Sequence, residues 1–187
     1  MGQNPLFKTI KMNYNIQTYV TIDPGYSGKI IIYSDRMIVQ VKMPRTFLEI
    51  ISIFRKIKNK YPNTLVGIEA VQMMPSDINS PGKAFNIQKM VINYKEFINS
   101  LDAVKLPYLK ISPRKWQGYL NLTVKGEDKK QRKSRFKNYA YFRFPNLQVT
   151  NANQDALCIL MFLFKIAKED PVYIAENGVN IDLLELK

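Results

Sequence analysis

The chain has 187 residues, 46% of them hydrophobic, and carries 28 lysines and arginines against 15 acids for a formal net charge of +13. That length suits one domain with a real core, and the charge points to a polyanionic partner. The absence of histidine excludes Ser-His and Cys-His nucleophilic schemes and His-ligated zinc, while the single cysteine excludes an internal disulfide and favours a reducing compartment.

Residues 1–16 read as an N-terminal arm with no signal-peptide core, and no apolar run reaches the length of a membrane span. A cytoplasmic protein without a membrane partner is therefore expected. Residues 17–23 form a β-branched and aromatic run that stops at Pro24-Gly25. Lys29–Tyr33 and Met37–Lys42 follow with turn residues between them, which predicts a three-strand meander. From Thr46 to Tyr61 apolar residues recur at three- and four-residue spacing, the pattern of an amphipathic helix.

Leu65–Ala70 is a near-continuous apolar run, as expected of a strand covered on both faces. Residues 71–84 hold two prolines among small polar residues and predict a long loop directly after Glu69. Helical spacing returns over Phe85–Leu101, a short strand covers Tyr108–Ile111, and Pro113 opens a further helix. A basic helix follows over about Lys129–Phe142, with Tyr139, Tyr141 and Phe142 expected to pack it onto the sheet. The helix from about Asn153 to Lys168 is apolar nearly all round and so buried. Residues 169–187 turn acidic and read as a small extension, either a cap or a partner-binding tail. The order βββαβαβα defines an α/β layer protein whose main unit spans 17–168.

Three carboxylates stand at the ends of apolar elements: Asp23 after the first strand, Glu69 after the fourth, and Asp155 in the first turn of the last strong helix. Each has a structural alternative, as a turn residue, a paired strand-end acid and a favourable helix N-terminal charge respectively. Together they form a set of hard oxygen donors suited to magnesium or manganese, and two such ions would serve an in-line phosphoryl displacement. Basic residues crowd into 105–143, opposed there only by Glu127 and Asp128. That regional charge favours nucleic acid over a solvated lysine surface. Trp116 would stack on a base or, more ordinarily for a lone tryptophan, fill core.

Several short segments, in their order and spacing, resemble the RuvC-like Holliday junction resolvases of the RNase H-like superfamily, especially phage-encoded members. They are Ile22-Asp23-Pro24-Gly25 with Gly28, Gly67-Ile68-Glu69-Ala70-Val71, Leu106-Pro107-Tyr108 with Pro113-Arg114-Lys115-Trp116, Asp128-Lys129-Lys130-Gln131, Phe144-Pro145, and Asp155-Ala156-Leu157. The resemblance covers about residues 18–168. It implies an RNase H-like mixed central sheet flanked by helices, and a homodimeric endodeoxyribonuclease of a bacterial or phage-infected cell. Such an enzyme cuts four-way DNA junctions by paired nicks with magnesium or manganese held by Asp23, Glu69 and Asp155.

The resemblance further implies that Lys129 or Lys130 contacts the scissile phosphate. Lys83, Lys89, Arg114, Lys115, Lys125, Arg132, Lys133 and Arg135 are the DNA-contact candidates. Relatives commonly carry a fourth ligand three or four residues before the Asp155 position. Here Ala152 and Asn151 stand there, and Asn151 offers a carbonyl oxygen without charge, with Asn153 as an alternative register. Where some relatives place an aromatic wedge after the second acid, this chain has Gln72, followed by Met73 and Met74. The competing readings are an RNase H-type or flap nuclease on the same fold, and a junction-binding protein whose catalysis is impaired at Asn151.

Overall fold

The computed structural model describes residues 13–71 and 81–185. The first three strands, β1 (Thr18–Ile22), β2 (Lys29–Ser34) and β3 (Met37–Lys42), form an antiparallel meander. Helix α1 (Phe47–Lys60) then crosses to β4 (Thr64–Glu69), which pairs parallel to β1. Helix α2 (Pro81–Val104) crosses to β5 (Tyr108–Ile111), parallel to β4. Helices α3 (Pro113–Tyr119), α4 (Lys129–Arg143), α5 (Gln154–Glu169) and α6 (Pro171–Asn177) follow. A two-residue strand β6 (Gly178–Val179) closes the sheet antiparallel to β5, giving the order β3-β2-β1-β4-β5-β6.

Local signals start α1, α3 and α4 where the sequence predicts, whereas α2 opens at Pro81, inside the loop expected over 71–84, because a proline fits the first turn of a helix as well as it fits a loop. Thr46 and Glu49 make a reciprocal capping box at α1, and Asp128 with Gln131 makes another at α4. Ser112 caps α3 ahead of Pro113 at its first turn. Alternation along the strands divides the core in two. Val20, Ile22, Ile68 and Val66 pack with Ile50, Phe54 and Phe97 of α1 and α2, while Ile31, Leu65, Leu109 and Ile111 pack with α5 and the α3 and α4 side chains Trp116 and Phe136. The sheet thus lies between two helical layers.

Residues 169–185 belong to this body: β6 extends the sheet, Ile174 and Leu184 are buried in the α5-side core, and the Asn15 amide donates to the Glu185 carbonyl at 2.7 Å. Of the N-terminal arm, residues 1–12 lie outside the described residues. One packing expectation is corrected. Phe142 is 78% exposed and Tyr141 is exposed too, because α4 turns Phe136 and Ala140 inward at a four-residue spacing and only Tyr139 of the aromatic trio follows them.

Gly67, in the middle of β4, sets how close α5 comes to the sheet. A Cβ there would lie 2.8 Å from a Leu163 methyl of α5 and 2.9 Å from an Ile111 methyl of β5. Gly67→Val should therefore destabilise the protein by about 1–3 kcal/mol through overpacking, despite the strand preference of valine. Urea unfolding measures this, and wild-type stability in the variant would show that α5 does not rest on β4 at this point.

Candidate active site

In the parallel pair β1 and β4, Ile22 stands opposite Ile68, so the next residues, Asp23 just past β1 and Glu69 at the end of β4, stand side by side. Alternation puts both on the face of Thr21 and Gly67, which is the α5 face. The Thr21 hydroxyl donates to the Ala156 carbonyl at 2.8 Å and pins the first turn of α5 to β1. Asp155, only 8% exposed, precedes that carbonyl by one residue. A turn holds Asp23 in place: the Gly25 amide donates to Asp23 Oδ1 at 3.1 Å, and the Gly28 amide donates to the Gly25 carbonyl at 2.9 Å. A Cβ on Gly28 would fall 2.0 Å from the Asp23 carbonyl oxygen, so this close approach needs glycine.

The three acids feel one another. Burial, then the charge of Asp155, pushes the Asp23 carboxyl above its usual range. Burial, then the charge of Asp23, pushes Glu69 up to about 8, against the opposing effects of a Trp116 hydrogen bond and the Lys133 charge. Lys133 forms an ion pair with Asp155 Oδ2. The Trp116 indole N–H donates to Glu69 Oε1 at 3.0 Å, while its ring is fully buried against Phe136 with 5.0 Å between centroids. Cys158 donates its thiol to the Phe136 carbonyl in this core, and burial pushes its pKa up, which suits an inert side chain.

Asp23, Glu69 and Arg114 line one cleft of about 430 Å³, together with Met90 of α2. Lys129 and Lys130 stand one turn before Lys133 and, with Lys137 and Asn151, line a separate surface groove of about 490 Å³. The lysine bonded to an acid of the cluster is thus Lys133, at i+4 from Lys129. Asn151 is exposed. Asn153 is committed elsewhere: its amide nitrogen donates to Gln40 and to the Gln148 carbonyl, and its oxygen accepts from the Thr150 amide.

Among the DNA-contact candidates, Lys89, Arg114, Lys115, Lys125 and Arg132 are exposed, and Arg135 forms an ion pair with Glu127. Lys115 lies over the Tyr173 ring at 4.4 Å. The side chain of Lys83, and Gln72, Met73 and Met74, lie outside the described residues. The role of Trp116 as donor to Glu69 escaped sequence reasoning. Its one legible signal is the spacing from Ser112-Pro113, which starts a helix at the end of β5, the strand beside Glu69.

The donor set fits a hard divalent cation in kind and in charge: three carboxylates, a single lysine against them, and Asp155 Oδ1 buried with no hydrogen-bond partner. Among the described residues, no three acidic, cysteine or histidine side chains are drawn close enough to encircle an ion. Asp155 is held by Lys133 through Oδ2 and Glu69 by Trp116 through Oε1, which leaves Asp155 Oδ1 as the unpartnered oxygen for a cation.

No protein-family model and no curated protein sequence matches the chain. Solved structures do resemble it. The structure of Thermus thermophilus RuvC superposes with a TM-score of 0.52 at 11% identity, covering 91% of this chain and 100% of that one. RuvC from the same organism in complex with a Holliday junction substrate gives a TM-score of 0.50 at 12% identity, covering 82% and 96%. The fold is therefore the mixed α/β, RNase H-like fold of RuvC.

The raised acids have a measurable consequence. The folded state binds protons at Asp23 and Glu69 more tightly than the unfolded chain, so their stabilising effect is complete below the ordinary carboxylate range and is lost as pH rises towards about 8. In chelator, the melting temperature should fall between about pH 5 and pH 8, and fall less in Glu69→Gln. Magnesium should raise the melting temperature more at the upper pH and shift the emission of Trp116, the only tryptophan. Equal magnesium effects at both pH values would remove the carboxylates as its site.

Proposed function

We propose that this protein is a magnesium- or manganese-dependent endodeoxyribonuclease that resolves four-way junctions or other branched DNA by paired nicks, a phage-type resolvase. The observation that carries this reading is the meeting of Asp23, Glu69 and Asp155 at one end of the sheet, beside the basic helix α4, on a RuvC fold. Bound at these three acids, two divalent cations would supply Lewis-acid stabilisation of the transferred phosphoryl group and lower the pKa of water.

The chain's own residues do the rest. The Gly25–Gly28 turn fixes the direction of Asp23. Trp116 holds one oxygen of Glu69, a residue that lines the cleft. Lys133, freed from Asp155, would offset charge developing on the phosphate, with Lys129 and Lys130 on the same helix drawing the backbone in. Asn151 would add a neutral oxygen from the start of the α5 segment. Gln72, Met73 and Met74 stay as wedge candidates on sequence grounds.

A homodimer brings two such sites to one junction, as paired nicks require. Phe85 and Ile92, seven residues apart on α2, are both exposed and give a second copy an apolar stripe to cover. Phe85→Lys with Ile92→Lys should turn a dimer into a monomer in sedimentation experiments, and an unchanged mass would assign the interface elsewhere.

A second reading has its own observation: Lys133 neutralises Asp155 while Asn151 brings no charge, which suits a protein that binds junctions and cuts them poorly. A cleavage assay on four-way junctions, flaps and RNA–DNA hybrids, in magnesium and in manganese, separates the readings. Wild type should cut junctions best, and Asp23→Asn should lose more than about 100-fold in rate while binding normally. Unchanged cleavage in Asp23→Asn would sink the assignment, and cleavage that emerges only in Asn151→Asp would favour the impaired-enzyme reading.

A further inference from the structure

The cleft at Asp23 and Glu69 does not end there. It shares Met90 with a second cleft of about 690 Å³ along α2, lined by Pro24, Tyr26, Arg45 and Lys89. That cleft in turn shares Tyr26, Met43, Pro44 and Arg45 with a third of about 680 Å³, lined by Lys29, Lys42 and Lys56 between the β1–β2 turn and α1. The three form one continuous trough that leaves the carboxylates on the side away from α4.

Its charge is one-sided. Lys29, Lys42, Arg45, Lys56 and Lys89 line it, and the one acid beyond the carboxylates among its described lining residues, Glu49, is occupied as a cap: its Oε2 accepts from the Arg45 amide at 2.6 Å and the Thr46 amide at 3.2 Å. None of these five cations has a carboxylate partner among the described residues. A concave surface lined by one sign of charge focuses its field and concentrates a polyanion. Where the second and third clefts meet, the Arg45 guanidinium lies 4.0 Å from the Tyr26 ring centroid, and Tyr26 is 80% exposed. A large aromatic side chain so exposed beside an arginine is a flat platform that none of the described residues covers.

We propose that this trough is a nucleic-acid site distinct from α4, which carries a single strand away from the carboxylates. The phosphates would lie along Lys29, Lys42, Arg45 and Lys56, and an unpaired base on the Tyr26–Arg45 platform. Spaced cations that track a backbone, joined to an aromatic face, are the chemistry of single-strand binding, and a duplex keeps its base faces stacked out of reach. The inference rests on the nuclease reading only for what happens at the Asp23 end. Its charge and platform stand without it.

The test uses the full chain and fluorescence anisotropy with a labelled single-stranded oligodeoxynucleotide, across a series of salt concentrations. Tyr26→Ala should weaken binding by about tenfold. Lys42→Gln with Arg45→Gln should lower the slope of log affinity against log salt by about 1.4, or 0.7 for each lost phosphate contact. Lys130→Gln with Lys137→Gln, on α4, should leave that slope unchanged and weaken four-way junction binding instead. All substituted side chains except Tyr26 are charged and exposed, and Tyr26 is exposed, so wild-type melting temperatures are expected throughout.

Single-strand affinity and slope unchanged in both trough variants would overturn the proposal, as would their full loss in the α4 variant. Asp23-dependent cleavage together with unaltered trough variants removes the trough alone. Single-strand binding that needs Tyr26 and Arg45, without cleavage of any branched substrate, keeps the trough and removes the nuclease reading.

Discussion

The parallel pairing of β1 with β4 is the constraint on which the site depends. Two strands in one register, with Ile22 against Ile68, must end with Asp23 and Glu69 adjacent and pointing to one face. A shift of one residue in either strand would send one acid to the α1 side, into the apolar layer of Ile50, Phe54 and Phe97. What prevents the slip is burial on both faces: Val20 and Ile22 fill one layer, while Thr21 faces α5 and spends its hydroxyl on Ala156. The same bond sets the height of α5, and with it Asp155. A sheet register and one hydroxyl therefore bring together carboxylates separated by 46 and 86 residues in the chain.

Bringing them together has an electrostatic cost. Three carboxylates in a half-buried space repel one another and lose hydration, which is why Asp23 and Glu69 hold their protons more tightly than free side chains do. The fold meets this with two partial remedies. Lys133 neutralises Asp155 from α4, and Trp116 gives Glu69 a hydrogen bond from inside the core. Neither cancels the cluster. A carboxyl whose ionised form is disfavoured for want of a counter-charge is one that a cation would stabilise as carboxylate, and perturbed carboxylates of this kind cluster at functional sites.

Much of this was legible in the chain. Period-two runs closed by Pro24-Gly25 and Ser34-Asp35 marked the meander, and Thr46, Ser112-Pro113 and Asp128 marked helix starts, because turns and caps are local chemistry. The acids stood out for being polar at the ends of apolar elements. Partnerships across the chain were not legible. Nothing near Trp116 names Glu69, and nothing distinguishes Lys133 from Lys129 or Lys130 except helical phase against α5, which appears only once Phe136 and Ala140 are seen to face inward. The aromatic trio on α4 misled for the same reason: hydrophobic type suggested burial, whereas phase left Tyr141 and Phe142 in solvent. The acidic stretch from 169 onward gave little warning of β6, since a two-residue strand has no pattern of its own.

Charge placement links these parts. Once ionised, the carboxylates form a small negative centre in a chain of net charge +13, and a phosphodiester approaching them alone would be repelled. Positive surface on one side only would draw a polyanion past the centre and hold it off-axis. Here α4 carries Lys129, Lys130, Lys133 and Lys137 on one flank, and the trough carries Lys29, Lys42, Arg45 and Lys56 on the other. On the proposed reading, a duplex arm lies against α4 and a single strand in the trough, with Asp23 and Glu69 between the two flanks. The attraction that brings an anion to an anionic site would then come from these two flanks, which asks for a ligand longer than a single nucleotide.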